Sequence, residues 1–312
     1  MGDRLRKTVK ISGNIIMLLA CIFIISRFCR YSGQIDWKQL ADNKWRLGIA
    51  VSGYTVIMLF SPVTYKILLG ITADTDIPFR KIRYIWCKSN IYKYLPGNIF
   101  QYVGRNELAV GTELKHSEVA AATVLEILVT VVSSVAVTLL LVWDDAAAWI
   151  VLHVDTGLVL KISSVSVLLI TLISFLAGKK LRGIKNELVS LLTVKNFVRL
   201  LEAAGYFSAI LLLDGVLFGY VFIVTGRPLT LDEMVTVAGL FALSFCVGYV
   251  TPGAPGGIGI REAVLLFSMG DILGNSCVVT AAVVFRVISV AGDVLAFLAA
   301  AVLSRHKPEK MV

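Results

Sequence analysis

The chain has 312 residues, of which 57% are hydrophobic and only 16% are charged. About a quarter of the residues in a soluble domain are charged, so this composition excludes a soluble enzyme of this size. The net charge of +9 lies mostly in short loops between apolar runs. Basic loops at the cytoplasmic face of a membrane, beside anionic lipid headgroups, account for that charge without nucleic acid as a partner.

Hydropathy in chain order predicts an all-α, polytopic transmembrane helix bundle, because runs of about 18 or more apolar residues can span a bilayer. The first run, 11–26, follows a basic N-terminal stretch but has no small-x-small cleavage site after it. The stretch 18–21 resembles a lipoprotein box, yet apolar residues continue beyond Cys21, so we interpret the run as a retained helix. The six predicted full spans are 11–28, 47–69, 119–142, 158–178, 203–225 and 277–303.

Two further apolar stretches, 82–108 and 234–269, are interrupted by proline and glycine. Proline removes a backbone donor and glycine relaxes the chain, so neither stretch is expected to form one unbroken helix. The first break contains Pro96, Gly97 and Asn98. The second contains Pro252 and Gly253, followed by a glycine-rich run.

A shift of 156 residues brings the two halves of the chain into register. It places Pro96 on Pro252, Gly97 on Gly253 and Arg105 on Arg261. It also superimposes three pairs of predicted spans, one of them loosely. We therefore predict one transmembrane domain, 1–312, built from repeat halves at about 1–156 and 157–312.

The basic loops predict the orientation of the bundle. Both termini and the loops 70–93 and 179–199 are basic and belong in the cytoplasm, whereas 143–157 is acidic and belongs outside. These assignments agree only if both broken segments are re-entrant hairpins entering from opposite sides, which makes the repeat an inverted one. The basic loop 29–46 disagrees, because this topology places it outside. The prediction is a multi-pass protein of the cytoplasmic (inner) membrane with both termini cytoplasmic.

Paired breaks at matching positions of an inverted repeat predict a substrate site near the midplane, because non-helical backbone survives there only inside protein or beside a wet cavity. The alternative is a pair of kinked helices packed by small residues. Amides at a helix N-terminus attract anions, and an arginine can hold phosphate through two parallel hydrogen bonds. Arg261 in the second break therefore favours a phosphate site. Arg105 lies roughly 12 Å from its hairpin tip, near the interface, where it could snorkel.

The predicted substrate-binding residues are Pro96, Gly97, Asn98, Gln101, Arg105, Pro252, Gly253, Gly256, Gly257, Gly259 and Arg261.

Further charges lie within the apolar segments, where each costs about 2.5–3.5 kcal/mol at a helix centre on insertion scales. Arg286 and Asp293 are seven residues apart on one helix face and are either ion partners that hold helices together or functional groups. Glu126 and Asp214 are interpreted as counter-charges or proton carriers. The predicted intramembrane charges are Glu126, Asp214, Glu262, Arg286 and Asp293.

No motif indicates an enzyme, a cofactor or a metal site. The five cysteines form no CxxC pair, and the chain has only three histidines. No Walker loop or Ser/His/Asp set is visible. No DxD-type acidic pair is visible in a loop unless Asp144 and Asp145 are given that role, so a membrane glycosyltransferase is a disfavoured alternative.

Both breaks carry motifs that resemble the lysylphosphatidylglycerol synthase transmembrane region family, over essentially the whole chain. This is the flippase domain of bacterial multiple peptide resistance factors and of stand-alone homologues. The motifs are Tyr94-Leu95-Pro96-Gly97-Asn98, Tyr102-Val103-Gly104-Arg105 and Thr251-Pro252-Gly253-Ala254-Pro255-Gly256-Gly257-Ile258-Gly259-Ile260-Arg261-Glu262.

The resemblance implies a bundle with re-entrant helices that moves lipids with charged headgroups between leaflets. This chain contains no counterpart of the family's cytosolic aminoacyl-transferase domain, so it is not expected to make an aminoacyl lipid itself. Stand-alone members are often associated with envelope glycan pathways, which leaves a polyprenyl-phosphate-linked glycan precursor open as cargo.

The leading hypothesis is therefore a flippase-like transporter of phosphate-bearing lipids. A non-transporting membrane partner of a lipid-modifying or glycan-assembly enzyme is the second hypothesis. The expected partners are membrane lipids. A homo-oligomer and a separate lipid-modifying enzyme or glycosyltransferase remain open.

Overall fold

The computed structural model describes residues 37–73, 77–95, 100–110, 114–143, 193–251 and 255–305. These residues are 90% helical and contain no strand, which confirms the all-α class. The predicted spans 11–28 and 158–178 lie outside the described residues. So do both tips of the breaks, 96–99 and 252–254.

The helices of the described residues follow one another with short connections. They are α1 (Trp37–Asp42), α2 (Lys44–Phe60), α3 (Pro62–Thr72), α4 (Phe79–Asn90), α5 (Phe100–Val110), α6 (His116–Leu141), α7 (Val194–Val224), α8 (Leu231–Val250), α9 (Ile260–Leu273) and α10 (Asn275–Arg305). A first 3₁₀ turn, Ile91–Tyr94, follows α4, and a second, Pro255–Gly257, lies between α8 and α9.

Five helical stretches of the described residues are long and apolar enough to cross a membrane: Lys44–Thr72, His116–Leu141, Val194–Val224, Leu231–Val250 and Asn275–Ser304. Four of them coincide with the predicted spans 47–69, 119–142, 203–225 and 277–303. One face of α6 is apolar and exposed, through Val124, Leu128, Val132 and Val135. That face fits contact with lipid rather than with water.

The fifth stretch, α8, lies in the segment 234–269 that was predicted to be broken. Its 20 residues form one continuous helix. Thr230 and Glu233 cap its start reciprocally: the Glu233 amide donates to Thr230 Oγ1 at 3.3 Å, and the Thr230 amide donates to Glu233 Oε2 at 2.9 Å. The helix ends at Val250, directly before the proline- and glycine-rich run 251–259 that was predicted to interrupt the segment. The total number of spans and the re-entrant character of both breaks stay predictions.

The first candidate span bends where α2 meets α3, because Pro62 has no backbone N–H for the carbonyl oxygen of Met58. The thiol of Cys87 on α4 donates to that oxygen at 3.8 Å. The Ser61 hydroxyl caps the neighbouring Ile57 carbonyl oxygen at 2.8 Å. Cys87 thus has a local structural role that its sequence position did not reveal.

The described elements occur in the same order in both halves. With the candidate span Lys44–Thr72 counted as one helix, each half has a long helix, a second helix, a 3₁₀ turn, a short helix and another long helix. The repeat of about 156 residues and its inverted symmetry stay predictions.

Small residues bring the helices of the second half close together. A Cβ atom on Gly215 of α7 would lie 2.9 Å from the Cα atom of Ala238 on α8. Beside this contact, the rings of Phe218, Phe241 and Phe285 meet with centroids 5.2 to 5.4 Å apart. These contacts pack α7, α8 and α10 together, and residues of all three helices line a cavity inside the bundle.

Candidate substrate cavity

A cavity of about 130 Å³ lies inside the bundle, and helices α2 to α10 and both 3₁₀ turns contribute to its wall. A space of this size holds several water molecules, since one needs about 10–15 Å³ on the same measure. The predicted site residues that line it are Gln101, Arg105, Glu126, Asp214, Gly256, Gly257, Arg261 and Arg286.

The remaining predicted residues fall into two groups. Gly259, Glu262 and Asp293 do not line the cavity, although Glu262 and Asp293 contact residues that do. The others lie outside the described residues: Pro96, Gly97, Asn98, Pro252 and Gly253.

The two breaks meet at one edge of the cavity. A Cβ atom on Gly256 would lie 3.7 Å from the carbonyl oxygen of Lys93 in the first 3₁₀ turn. Gly256 and Gly257 have φ values of +56° and +71°, a region that side chains with a Cβ rarely adopt. The glycines therefore allow a tight left-handed turn that approaches the other break closely.

Arg286 on α10 holds the second break in place. Its Nε donates to Glu262 Oε1 at 2.5 Å, and its Nη1 donates to the Gly256 carbonyl oxygen at 2.9 Å. Glu262 Oε2 also accepts the Gly259 amide at 2.7 Å and so caps α9. The Gly259 amide at the start of α9 therefore already donates to a carboxylate of the chain itself. Any anion in the cavity would meet the Gly256–Gly257 side of the turn and the neighbouring arginines.

Asp293 on α10 holds the first break in the same manner. It is only 2% exposed. Asp293 Oδ2 lies 2.8 Å from Lys93 Nζ and accepts the Tyr94 hydroxyl at 2.5 Å. Asp293 Oδ1 accepts Asn90 Nδ2 at 2.9 Å. Arg286 and Asp293, considered above as partners of one another, thus each pair with a different break.

Arg105 on α5 is enclosed by protein. Its guanidinium forms an ion pair with Glu126 Oε2 and donates through Nε to Ser89 Oγ at 3.3 Å. It also lies over the Tyr65 ring, with Cζ 4.6 Å from the centroid. Because Arg105 is 2% exposed, its guanidinium is held inside the protein and does not snorkel. The spacing along the helix could not foresee Glu126 as its buried partner.

Arg261 on α9 has different surroundings. Its Cζ lies 5.0 Å from the centroids of both the Phe241 and Phe245 rings of α8. Its aliphatic stem passes between Gly248 and Gly257, and a Cβ on Gly257 would lie 2.9 Å from Arg261 Cδ. Among the described residues, no carboxylate oxygen lies within 4.0 Å of its guanidinium nitrogens. The side chain is half-buried, and its charged end borders the cavity.

Asp214 faces the cavity from well inside α7. It is 7% exposed, and it forms no hydrogen bond or ion pair with any residue that the structure describes. Its Oδ1 is fully buried without a partner. Arg286 likewise keeps Nη2 buried and unpartnered in the same part of the chain. Arg286 is nevertheless paired with Glu262. Arg261 and Asp214 are thus the cavity residues of opposite charge that form no ion pair within the described part of the chain.

Several cavity residues were not predicted from the sequence, among them Lys93, Phe241, Phe245 and Gly248. Lys93 directly precedes the first motif, and a positive charge beside a break could have identified it as a site residue. The two phenylalanines are four residues apart on the helix that precedes the second break, a spacing that places them on one face. In an apolar helix such a pair resembles ordinary packing, so hydropathy alone could not single it out.

Comparisons of the chain with protein-family models, with curated proteins and with solved structures find no match. The resemblance to the lysylphosphatidylglycerol synthase transmembrane region family therefore stays a prediction carried by its motifs.

Proposed function

We propose that the chain is a flippase-like lipid transporter that moves a phosphate-bearing lipid with a charged headgroup between the leaflets of the cytoplasmic membrane. The observation that carries the proposal is the contrast among the cavity cations. Three are ion-paired with carboxylates within the described residues, whereas Arg261 is not. An arginine that borders a cavity and forms no ion pair with a described carboxylate is suited to bind an anion from outside the chain.

The surroundings of Arg261 favour phosphate over other anions. The aliphatic stem of Arg261 passes between Gly248 and Gly257. Its Cζ atom lies 5.0 Å from the ring centroids of both Phe241 and Phe245. A guanidinium fixed in this way can offer two parallel N–H groups to a phosphate. The unpartnered Nη2 of Arg286 provides a further donor in the same wall. Five helical stretches of the described residues are long and apolar enough to cross a membrane, which supports a lipid as the carrier of that phosphate.

A leaflet-exposure assay tests the proposal. Purified protein is reconstituted into vesicles that contain one fluorescent lipid, and dithionite then bleaches the label in the outer leaflet. Labelled phosphatidylglycerol, phosphatidylethanolamine and a polyprenyl phosphate are compared with a phosphate-free glycolipid. We expect extra bleaching for at least one phosphate lipid and none for the glycolipid. Bleaching confined to the polyprenyl phosphate would indicate a glycan precursor as cargo. No extra bleaching for any lipid would favour the non-transporting membrane partner.

The proposed topology places both termini and the 179–199 loop in the cytoplasm and 143–157 outside, from the distribution of lysine and arginine. A membrane-impermeant thiol reagent added to intact cells should label a cysteine placed at Ala147 but not one placed at Ser190, in a protein without its native cysteines. The reverse labelling pattern would contradict the inverted repeat.

A further inference from the structure

The positive and negative charges around the cavity are equal in number within the described residues, but not all of them are paired. Lys93 pairs with Asp293, Arg105 with Glu126, and Arg286 with Glu262. Two charges remain, those of Arg261 and Asp214, and they balance one another in number without forming an ion pair.

A phosphate bound at Arg261 would disturb this balance. A lipid phosphodiester brings one negative charge, which satisfies Arg261 and leaves the carboxylate of Asp214 without a counter-charge. An uncompensated charge in a low-dielectric site costs several kcal/mol. In practice such a group neutralises itself by taking up a proton. Asp214 is placed for this, because it is 7% exposed, lines the cavity and forms no hydrogen bond with a described residue.

We propose that Asp214 takes up one proton when a phosphate headgroup binds at Arg261, so that movement of an anionic lipid is coupled to movement of a proton. This inference rests on the proposed function. In the binding step a proton from water forms an O–H bond on the Asp214 carboxylate, and release of the lipid returns that proton to water. The loaded cavity is then electrically balanced, and proton and lipid each increase the affinity for the other.

The charged and titratable groups that face Asp214 are consistent with this assignment. Arg261, Lys93 and Asp293 lie within electrostatic reach of the carboxylate, and so does the hydroxyl of Tyr54. Lys93 and Asp293 neutralise each other at 2.8 Å, and a tyrosine is uncharged near neutral pH. The charge of Arg261 is therefore the one on which Asp214 depends. The other ionisable side chains of the cavity wall are Tyr94, Tyr102, Arg105, Glu126, Tyr249 and Arg286.

Glu126 is a poorer proton site. It accepts Trp86 Nε1 at 3.1 Å and forms an ion pair with Arg105, so a proton there would disrupt a buried pair. Of the two residues considered as proton carriers from the sequence, the structure leaves Asp214 as the one with a free carboxylate among the described residues.

The test measures proton uptake directly. Detergent-solubilised protein in weak buffer with a pH indicator is mixed with micelles of phosphatidylglycerol, whose headgroup has a phosphate and no amine, and binding is measured in parallel. We expect the parent protein to take up about one proton per bound lipid, as charge balance requires. Asp214→Asn should bind the lipid without proton uptake, and Asp214→Glu should restore the uptake. Asp271→Asn, which changes an exposed aspartate, is the matched control and should behave like the parent.

A second measurement on the parent protein holds even if Asp214→Asn does not fold. Its affinity for phosphatidylglycerol should rise as the pH falls. Binding without proton uptake, equal uptake by Asp214→Asn, or an affinity independent of pH would overturn the coupling and leave the proposed function intact. Failure of the parent to bind phosphatidylglycerol would overturn the proton coupling, whereas failure to move any phosphate lipid in the vesicle assay would overturn the proposed function.

Discussion

The two breaks carry arginines that a shift of 156 residues superimposes, Arg105 and Arg261, but these two arginines have opposite surroundings. Arg105 is 2% exposed and forms an ion pair with Glu126. Arg261 lies against two phenylalanine rings and borders the cavity without a carboxylate partner among the described residues. The comparison teaches that position in a repeat does not fix the role of a charge. The role depends on the neighbouring helix: α6 provides Glu126 as a partner for Arg105, whereas α8 places phenylalanine rings beside Arg261.

The breaks are also anchored by different chemistry on the same helix. Asp293 of α10 accepts three donors from the first break, and Arg286 of α10 donates to the second. One helix thus carries opposite charges seven residues apart, each matched to its own break. Each anchor and each arginine can be changed separately, which gives the following predictions in order of expected effect.

The largest effect is expected when Arg105 loses its partner. Glu126→Gln leaves a buried guanidinium without a counter-charge, and removal of one partner of a buried ion pair costs about 3–5 kcal/mol. We expect a marked fall in the melting temperature of the purified protein and in its yield. The double variant Arg105→Met with Glu126→Gln removes both charges and should recover much of that loss. A Glu126→Gln protein as stable as the parent would contradict the role of Arg105 as a structural residue.

A smaller loss is expected at the anchor of the first break. Asp293→Asn keeps the shape of the side chain but removes the charge that holds Lys93 and Tyr94. Hydrogen bonds to charged groups contribute about 1.5–3 kcal/mol each, and Lys93 is 18% exposed, so cavity water relieves part of the cost. We expect destabilisation of about 1.5–3 kcal/mol, measured by thermal unfolding in detergent.

The next effect is expected for Gly248→Ala, because the stem of Arg261 packs closely against this glycine. The added methyl group would overlap the Cγ atom of Arg261, and overpacking typically costs about 1–3 kcal/mol. We therefore expect Gly248→Ala to lower the melting temperature. Gly205→Ala is the matched control, because Gly205 is an exposed residue of α7 with nothing within 4 Å of its added Cβ. That change should stabilise the helix by about 0.5–1 kcal/mol. Equal melting temperatures for the two alanine variants would contradict the packing described here.

Several residues that the sequence singled out line one cavity, because charges and helix breaks are easy to recognise in an apolar chain. They include Gly256, Gly257, Arg261, Asp214 and Arg286. Their role in binding a substrate stays a prediction. The all-helical class could be predicted because long apolar runs that span a bilayer form helices.

The pairing of these groups could not be predicted. Arg105 and Glu126 are 21 residues apart, and Lys93 and Asp293 are in different halves of the chain. The first pair depends on how α5 packs against α6, and the second on how the first 3₁₀ turn packs against α10. Hydropathy holds no information about that packing. Phe241 and Phe245 were missed because an aromatic side chain in an apolar helix resembles any other apolar residue.

The most direct test of the central claim compares Arg261→Lys with Arg105→Lys in the vesicle assay and in thermal unfolding. Lysine keeps the charge but loses the two-pronged geometry that an arginine offers to phosphate. For Arg261→Lys we predict at least a roughly ten-fold loss of phosphate-lipid transport per folded protein, equivalent to ~1.4 kcal/mol, with little change in melting temperature. For Arg105→Lys we predict a lower melting temperature and nearly unchanged transport per folded protein. Transport by Arg261→Lys equal to that of the parent at equal abundance would contradict the claim that Arg261 binds the lipid phosphate.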